Sequence, residues 1–433
     1  MKIQNIYARE ILDSNGNPTI ETTVELLDGT KGVASVPSGA STGKTEVLEL
    51  RDNDTNRYGG KGVLKAVDIV NNSIAPLFKD KEIHNQEEFD KILIEADGTD
   101  LKVKLGGNSI LSCSIAFCRA IANSFGIEMY QYIGMIYWGD KYSESNFQLP
   151  TPLMLVLEGG KHGNWATDIQ EYMIVPNVAK FGNFSESLRA GVNVYKNIEK
   201  ILIEKNYSTG VGFEGAFAPM EIKDSNEEAF GIIVDGIKRA GYVPGEDFNI
   251  AIDVAASEFY NEQEDKYKID RGNRSVSTDE WYSIQKDLYS KYPIISVEDP
   301  FNEDDWNTWT KFASDFGIDG KMIVGDDLLT TNVKRIEKCI KEKSANALLA
   351  KPNQIGTVTE TLNAIRMATE NGMNAIVSHR SGETIDDFIA DLVVATPAKF
   401  SKFGGPVRGE RVVKYNRLLE IENLLKKKLT AQD

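Results

Sequence analysis

The chain begins with a period-two pattern. In TIETTVELLDGTKG, Ile20, Thr22, Val24 and Leu26 share one face of an extended segment, and Asn15-Gly16 and Asp28-Gly29 supply tight turns at its two ends. This spacing predicts a three-stranded antiparallel meander. The period then lengthens. Val63, Val67 and Val70 are helically spaced, and Leu111, Ile115, Cys118, Ala122 and Phe125 form a longer stripe that stops at Gly126. Strands followed by helices predict an α+β N-terminal domain over residues 1–140.

From about residue 150 short apolar runs alternate with helical segments such as VKRIEKCIKEK and VTETLNAIRMATENG. Each run ends in polar residues: NIAID at Asp253, PIISVED at Glu298 and Asp299, KMIVGDD at Asp326 and Asp327, NALLAK at Lys351, and NAIVSHRS at His379, Arg380 and Ser381. Such an alternation predicts an α/β fold for residues 141–433, a parallel barrel whose active site lies at the C-terminal strand ends. A charged residue is a natural exit from any parallel strand. Five in succession point instead to one shared pocket.

Composition narrows the classes. Apolar residues make up 41% of the 433, enough for two cores, and the net charge of -16 opposes binding to phosphate backbones or anionic lipid. Lys426, Lys427 and Lys428 fit the last turn of a solvated helix. The start, MKIQNIYAREILDSNG, is unlike a secretory leader, and no run reaches membrane-span length. Cys113, Cys118 and Cys339 lack metal-ligand spacing and suit apolar filler. A cytoplasmic protein is expected, with no nucleic-acid partner and no membrane span.

The strand ends suggest chemistry. Asp253, Glu298 and Asp326 come from three strands and can converge as hard oxygen ligands, a set that suits Mg²⁺ better than zinc. Lys351 follows an apolar run that can desolvate it and lower its pKa towards that of a general base; alternatively it reaches out to the barrel mouth. Arg380 and Ser381 can hold a phosphate, or form a salt bridge and a turn. Glu214, alone among small and apolar residues in STGVGFEGAFAPM, is either a solvated loop acid or part of the same pocket. His84, in KDKEIHNQEE, reads as a surface residue.

Seven segments, SVPSGASTG, DIQEYMIVP, AIDVAASEFY, SVEDPFNEDDW, VGDDLLTTN, KPNQIGTVTE and SHRSGETIDDFIADL, together with the closing VRGERVVKYNRLLEIE, resemble the enolase family in order along the chain. The resemblance implies an eight-stranded enolase-type, TIM-like α/β barrel whose first units depart from simple βα order. It implies reversible dehydration of 2-phospho-D-glycerate to phosphoenolpyruvate with two Mg²⁺ per site, the second bound with substrate, in a homodimer. Carried over by position, Asp253, Glu298 and Asp326 hold the tighter metal and Ser41 the second. Lys351 is the base at C2, Glu214 protonates the departing hydroxide, Arg380 and Ser381 clamp phosphate, and Lys402 faces the carboxylate. His162, Glu171 and His379 match further active-site positions.

Departures cluster near this chemistry. The family usually has asparagines at Leu155 and Glu158, alanine at Gly163, Asp-Glu-Gly-Gly where this chain has Phe213 to Ala216, and arginine at Asn15. Phe213 is expected to raise the Glu214 pKa by apolar contact. Glu158 either points inwards, opposing an anionic substrate, or faces water. Asn15 is expected at the surface or at a subunit contact. An active enolase is the leading expectation. The alternatives are a relative that dehydrates another phospho- or phosphono-hydroxyacid and a non-catalytic binding protein.

Overall fold

The computed structural model describes residues 1–39, 43–79, 81–222 and 225–430. Three antiparallel strands, β1 (Ile3–Leu12), β2 (Pro18–Leu26) and β3 (Lys31–Ser35), form the meander in the order β1-β2-β3. The turns sit where the sequence placed them. Asp13 Oδ1 accepts from the amides of Asn15 and Asn17 at 2.9 and 2.8 Å, and Gly16 takes a φ of 71° that disfavours a side chain. The stripe from Leu111 lies on the buried helix Gly107–Phe125, closed by Gly126 at a φ of 64°. That helix sits so near β3 that a Cβ on Gly32 would lie 2.1 Å from the Ala116 carbonyl oxygen.

The second part is a closed barrel. Its strands are β4 (Thr151–Glu158), β5 (Glu171–Pro176), β6 (Phe248–Asp253), β10 (Ile294–Glu298), β11 (Met322–Gly325), β12 (Ala347–Ala350), β13 (Asn374–Ser378) and β14 (Phe400–Lys402). Between β6 and β10 three short strands, β7 (Tyr260–Asn261), β8 (Lys266–Ile269) and β9 (Arg274–Val276), make a separate small sheet. Strand β5 runs antiparallel to both neighbours, and every other barrel pair is parallel. No helix lies between β4 and β5, and two long helices, Phe184–Glu204 and Ser225–Arg239, lie between β5 and β6. The opening units thus break the βα alternation.

Buried and half-buried polar contacts tie the two parts together. Asp90 accepts from the Thr359 amide at 2.9 Å and from the Ser114 hydroxyl at 2.6 Å, and Arg119 pairs with Asp386 at 2.9 Å and Asp387 at 3.0 Å. The three cysteines are buried and His84 is exposed. No single helix among the described residues is long and apolar enough to cross a membrane.

Candidate active site

Strand alternation carries the polar ends inwards. Met322 and Val324 face the barrel interior, so Asp326 follows them two residues later; Ala347 and Leu349 lead to Lys351, Ala251 to Asp253, and Phe400 to Lys402. The apolar members, with Leu155, Met173, Ala216 and Ile376, form a layer beneath the site. Leu155 and Ala216 therefore belong to the floor of the barrel.

Hydrogen-bond register aligns four carboxylates across adjacent strands: Glu158 opposite Glu171, Glu171 opposite Asp253, and Asp253 opposite Glu298. All four are buried. The Lys402 ammonium lies 3.0 Å from Glu171, 3.1 Å from Asp253 and 2.8 Å from Glu298. Burial, then the charge of Asp253, raises Glu298 well above the usual carboxylate range; Asp253 is also raised by burial, against the pull of Lys402. One cation position thus touches both Asp253 and Glu298. An all-carboxylate donor set fits a hard divalent ion such as Mg²⁺. Asp326, one strand farther on, engages Lys351 at 2.5 Å and accepts from Gln354 at 2.7 Å. Ser41 lies outside the described residues.

Lys351 departs from expectation. Burial opposes its charge most strongly, but the carboxylates around it, Asp326 and then Glu298, together prevail and the pKa is raised, not lowered. The apolar approach read from NALLAK is real; the carboxylate that the neighbouring strand brings to it is not visible along one segment.

On the other side of the site, Glu214 Oε2 lies 2.9 Å from His379 Nε2, and Oε1 lies 3.4 Å from His162 Nδ1, which is itself 3.5 Å from Glu171. Burial favours a neutral Glu214, yet His379, His162 and Arg411 overcome it and hold its pKa well below the usual value. Phe213 is 43% exposed, and the rise expected from it does not occur because these neighbours prevail. Burial opposes a charge on His162, but Glu214 and Glu171 prevail and raise its pKa. Burial pushes His379 down to about 4, with Arg411 adding to it and Glu214 opposing. The Arg411 guanidinium can only donate, so His379 Nδ1, 2.8 Å away, is the acceptor and the neutral ring carries its proton on Nε2, towards Glu214.

Glu158 points inwards. It is 2% exposed, and its Oε1 accepts from the Glu214 amide at 2.7 Å. Burial, then the charges of Glu214 and Glu171, raises its pKa well above normal.

Arg380 presents its fork to the two oxygens of Glu46, at 2.8 and 3.3 Å, and donates to Asn353 at 3.1 Å, so it is already set for bidentate oxyanion binding. The Ser381 carbonyl accepts from Arg411 at 2.7 Å and from the Asn15 side chain at 3.3 Å. Asn15 is thus half-buried beside the site. Asp253, Asp326, Lys351, Glu171, Glu214, His162, His379, Arg380, Ser381 and Lys402 line one chamber of about 20 Å³. That space admits about one water, so a larger ligand requires side chains to part. A wider cavity of about 670 Å³, lined by Asn15, Lys161, Asn164, Phe213, Met220 and Arg408, opens on the His162 side.

Sequence pattern does not single out Arg411, Glu46 or Gln354. For Arg411 a signal exists: in the helix Gly409–Thr430 it shares the buried stripe of Tyr415, Leu418 and Ile421, where a guanidinium is costly unless engaged.

Comparison with known proteins agrees with this geometry. The family described as "Enolase, N-terminal domain" matches residues 3–133, and "Enolase, C-terminal TIM barrel domain" matches residues 146–431. The chain is 49% identical over 425 residues to the enolase of Bifidobacterium longum subsp. infantis, covering 98% of this chain and 94% of that relative. The enolases of two Bifidobacterium longum strains, DJO10A and NCC 2705, are 48% identical over the same length and with the same coverage. With a barrel interrupted by one reversed strand, carboxylates in register at its mouth, and both halves matched, this chain belongs to the enolase family.

Proposed function

We propose that the chain is a phosphopyruvate hydratase, a lyase that reversibly dehydrates 2-phospho-D-glycerate to phosphoenolpyruvate with Mg²⁺ in glycolysis or gluconeogenesis. The observation that carries this is the shared chamber, in which Lys351, Glu214, Arg380 and Lys402 meet around buried carboxylates. Asp253, Glu298 and Asp326 would hold the tighter of two Mg²⁺ ions, and Ser41 would contribute to the second. Bound Mg²⁺ supplies positive charge against the anion that forms when the C2 proton leaves.

Arg380 and Ser381 take the phosphate, the guanidinium exchanging the Glu46 carboxylate for phosphate oxygens. Lys402 faces the substrate carboxylate. Lys351 removes the C2 proton. Once the Asp326 charge is withdrawn from Lys351, burial, Arg380 and Lys402 favour its neutral amine against the remaining pull of Glu298. Glu214 delivers a proton to the departing C3 hydroxide. His162 and Glu214 together carry that proton, with the imidazole 3.4 Å from the carboxylate, and Glu171 orients the ring. His379, fixed as a neutral ring, holds the second oxygen of Glu214.

The same reading makes the protein a cytoplasmic homodimer, with residues 1–140 capping a catalytic unit of residues 141–433. Purified protein with Mg²⁺ and 2-phosphoglycerate should release phosphoenolpyruvate, followed by ultraviolet absorbance. Folded protein that gave none would rule the assignment out.

A further inference from the structure

We propose that Glu158 is a positioning residue for Glu214: it anchors the backbone amide of the acid, and so aims its carboxylate, without touching substrate. This rests on the dehydratase reading above.

A bulge in β4 delivers Glu158 to the site. Leu155 pairs with Met173 and Leu157 with Tyr172, so Val156 is an extra residue. Leu153 and Leu155 face the barrel interior, whereas Val156 and Leu157 both pack in the outer core. Strict alternation would have turned position 158 outwards. With the extra residue, Glu158 faces in, on the carboxylate row.

From there it grips the Glu214 loop by side chain and main chain. Oε1 accepts from the Glu214 amide at 2.7 Å, the Glu158 amide donates to the Phe217 carbonyl at 2.9 Å, and the Phe217 amide donates to Val156 at 3.2 Å. Among the described residues the buried Oε2 has no hydrogen-bond partner, so the Glu214 amide is the one group this side chain serves. Its neighbours are shaped for it. A Cβ on Gly212 would lie 2.0 Å from Oε2, and a Cβ on Gly163 would lie 2.3 Å from the Glu158 carbonyl oxygen. The glutamate, the bulge and two residues without side chains form one device at the amide of the acid. An error of about 1 Å in placing that acid is enough to cost a hundredfold in rate.

The test compares E158L, which keeps bulk but loses the acceptor, with E158Q, which keeps an acceptor of the same length. Steady-state kinetics with 2-phosphoglycerate and Mg²⁺ are combined with amide hydrogen exchange over residues 212–215. E158L should lower kcat by about ten- to a hundredfold, with KM within about twofold, and should speed exchange at the Glu214 amide. E158Q should restore slow exchange and most of kcat. G212A, which displaces the carboxylate sterically, should act like E158L and add little to it in the double variant. An E158L enzyme with unchanged kcat, an E158Q as impaired as E158L, or exchange at 214 that E158L leaves alone would overturn the proposal. Exchange needs no turnover, so an inactive wild type would sink the dehydratase reading while the anchor is still tested.

Discussion

Replacing Arg411 by methionine tests the acid side of the site most severely. Methionine keeps much of the buried volume and removes every donor. Four acceptors lose their partner: His379 Nδ1 at 2.8 Å and the carbonyls of Arg380, Ser381 and Phe213 at 2.6, 2.7 and 3.0 Å. At about 1 kcal/mol net for each bond the loss is about 4 kcal/mol, within the range of about 3–5 kcal/mol for breaking a buried charged network. With an m-value of about 3 kcal/mol/M, the urea midpoint should fall by about 1–1.5 M. Activity should suffer beyond stability. Without a donor at Nδ1 the His379 tautomer is no longer fixed, and the ring can present a lone pair to Glu214. We expect kcat to fall by at least about a hundredfold, measured well below the unfolding transition. R411K should rescue little, because one ammonium cannot serve four acceptors spread over two loops. A midpoint shift under about 0.3 M, or a kcat equal to wild type, would refute this account of Arg411.

Other outcomes follow from the same geometry. K351M should lower turnover by at least about a thousandfold and abolish exchange of the C2 proton with solvent, while calorimetry shows Mg²⁺ binding retained. Chelation with EDTA should stop turnover reversibly; D253N should shift the Mg²⁺ titration to higher concentration, with activity partly recovered at excess ion. Asp90, buried where the helices meet the barrel, is pushed up to about 6 by desolvation against hydrogen bonds from Ser114 and Thr359. The native state keeps this proton at pH values where the unfolded chain, near 3.9, has released it. Its contribution to stability should therefore be greatest below pH 4 and decline as pH rises to 6, by about 3 kcal/mol. Urea midpoints of wild type and D90N across that range should diverge accordingly, and parallel curves would remove Asp90 from the explanation.

Much of this was legible in the sequence because it is periodic. The meander, the stripe ending at Gly126 and the polar residues closing the barrel strands each follow from alternation that a single segment reveals. What escaped was pairwise. The raised Lys351 pKa depends on Asp326 from another strand, and the lowered Glu214 pKa on His162, His379 and Arg411 from three other segments. The inward turn of Glu158 depends on a bulge, and simple alternation gives the wrong face. Asn15 gained its contact with Ser381 through a turn in the first part folding against the barrel mouth. None of these partners is near its target along the chain.

Strand β5 makes the chemistry depend on counting. Its Glu171 is opposite Asp253 only in this pairing, and sliding β5 by a single residue would turn Glu171 to the outer core and bring Gln170 or Tyr172 into its place. Such a slide cannot be small, because strands move past one another in whole residues. Closure of the ring on itself forbids it locally, since one displaced strand would break the pairing with both neighbours at once. Placement of Glu171 beside Asp253 is therefore a digital quantity here, protected by the topology of a closed sheet.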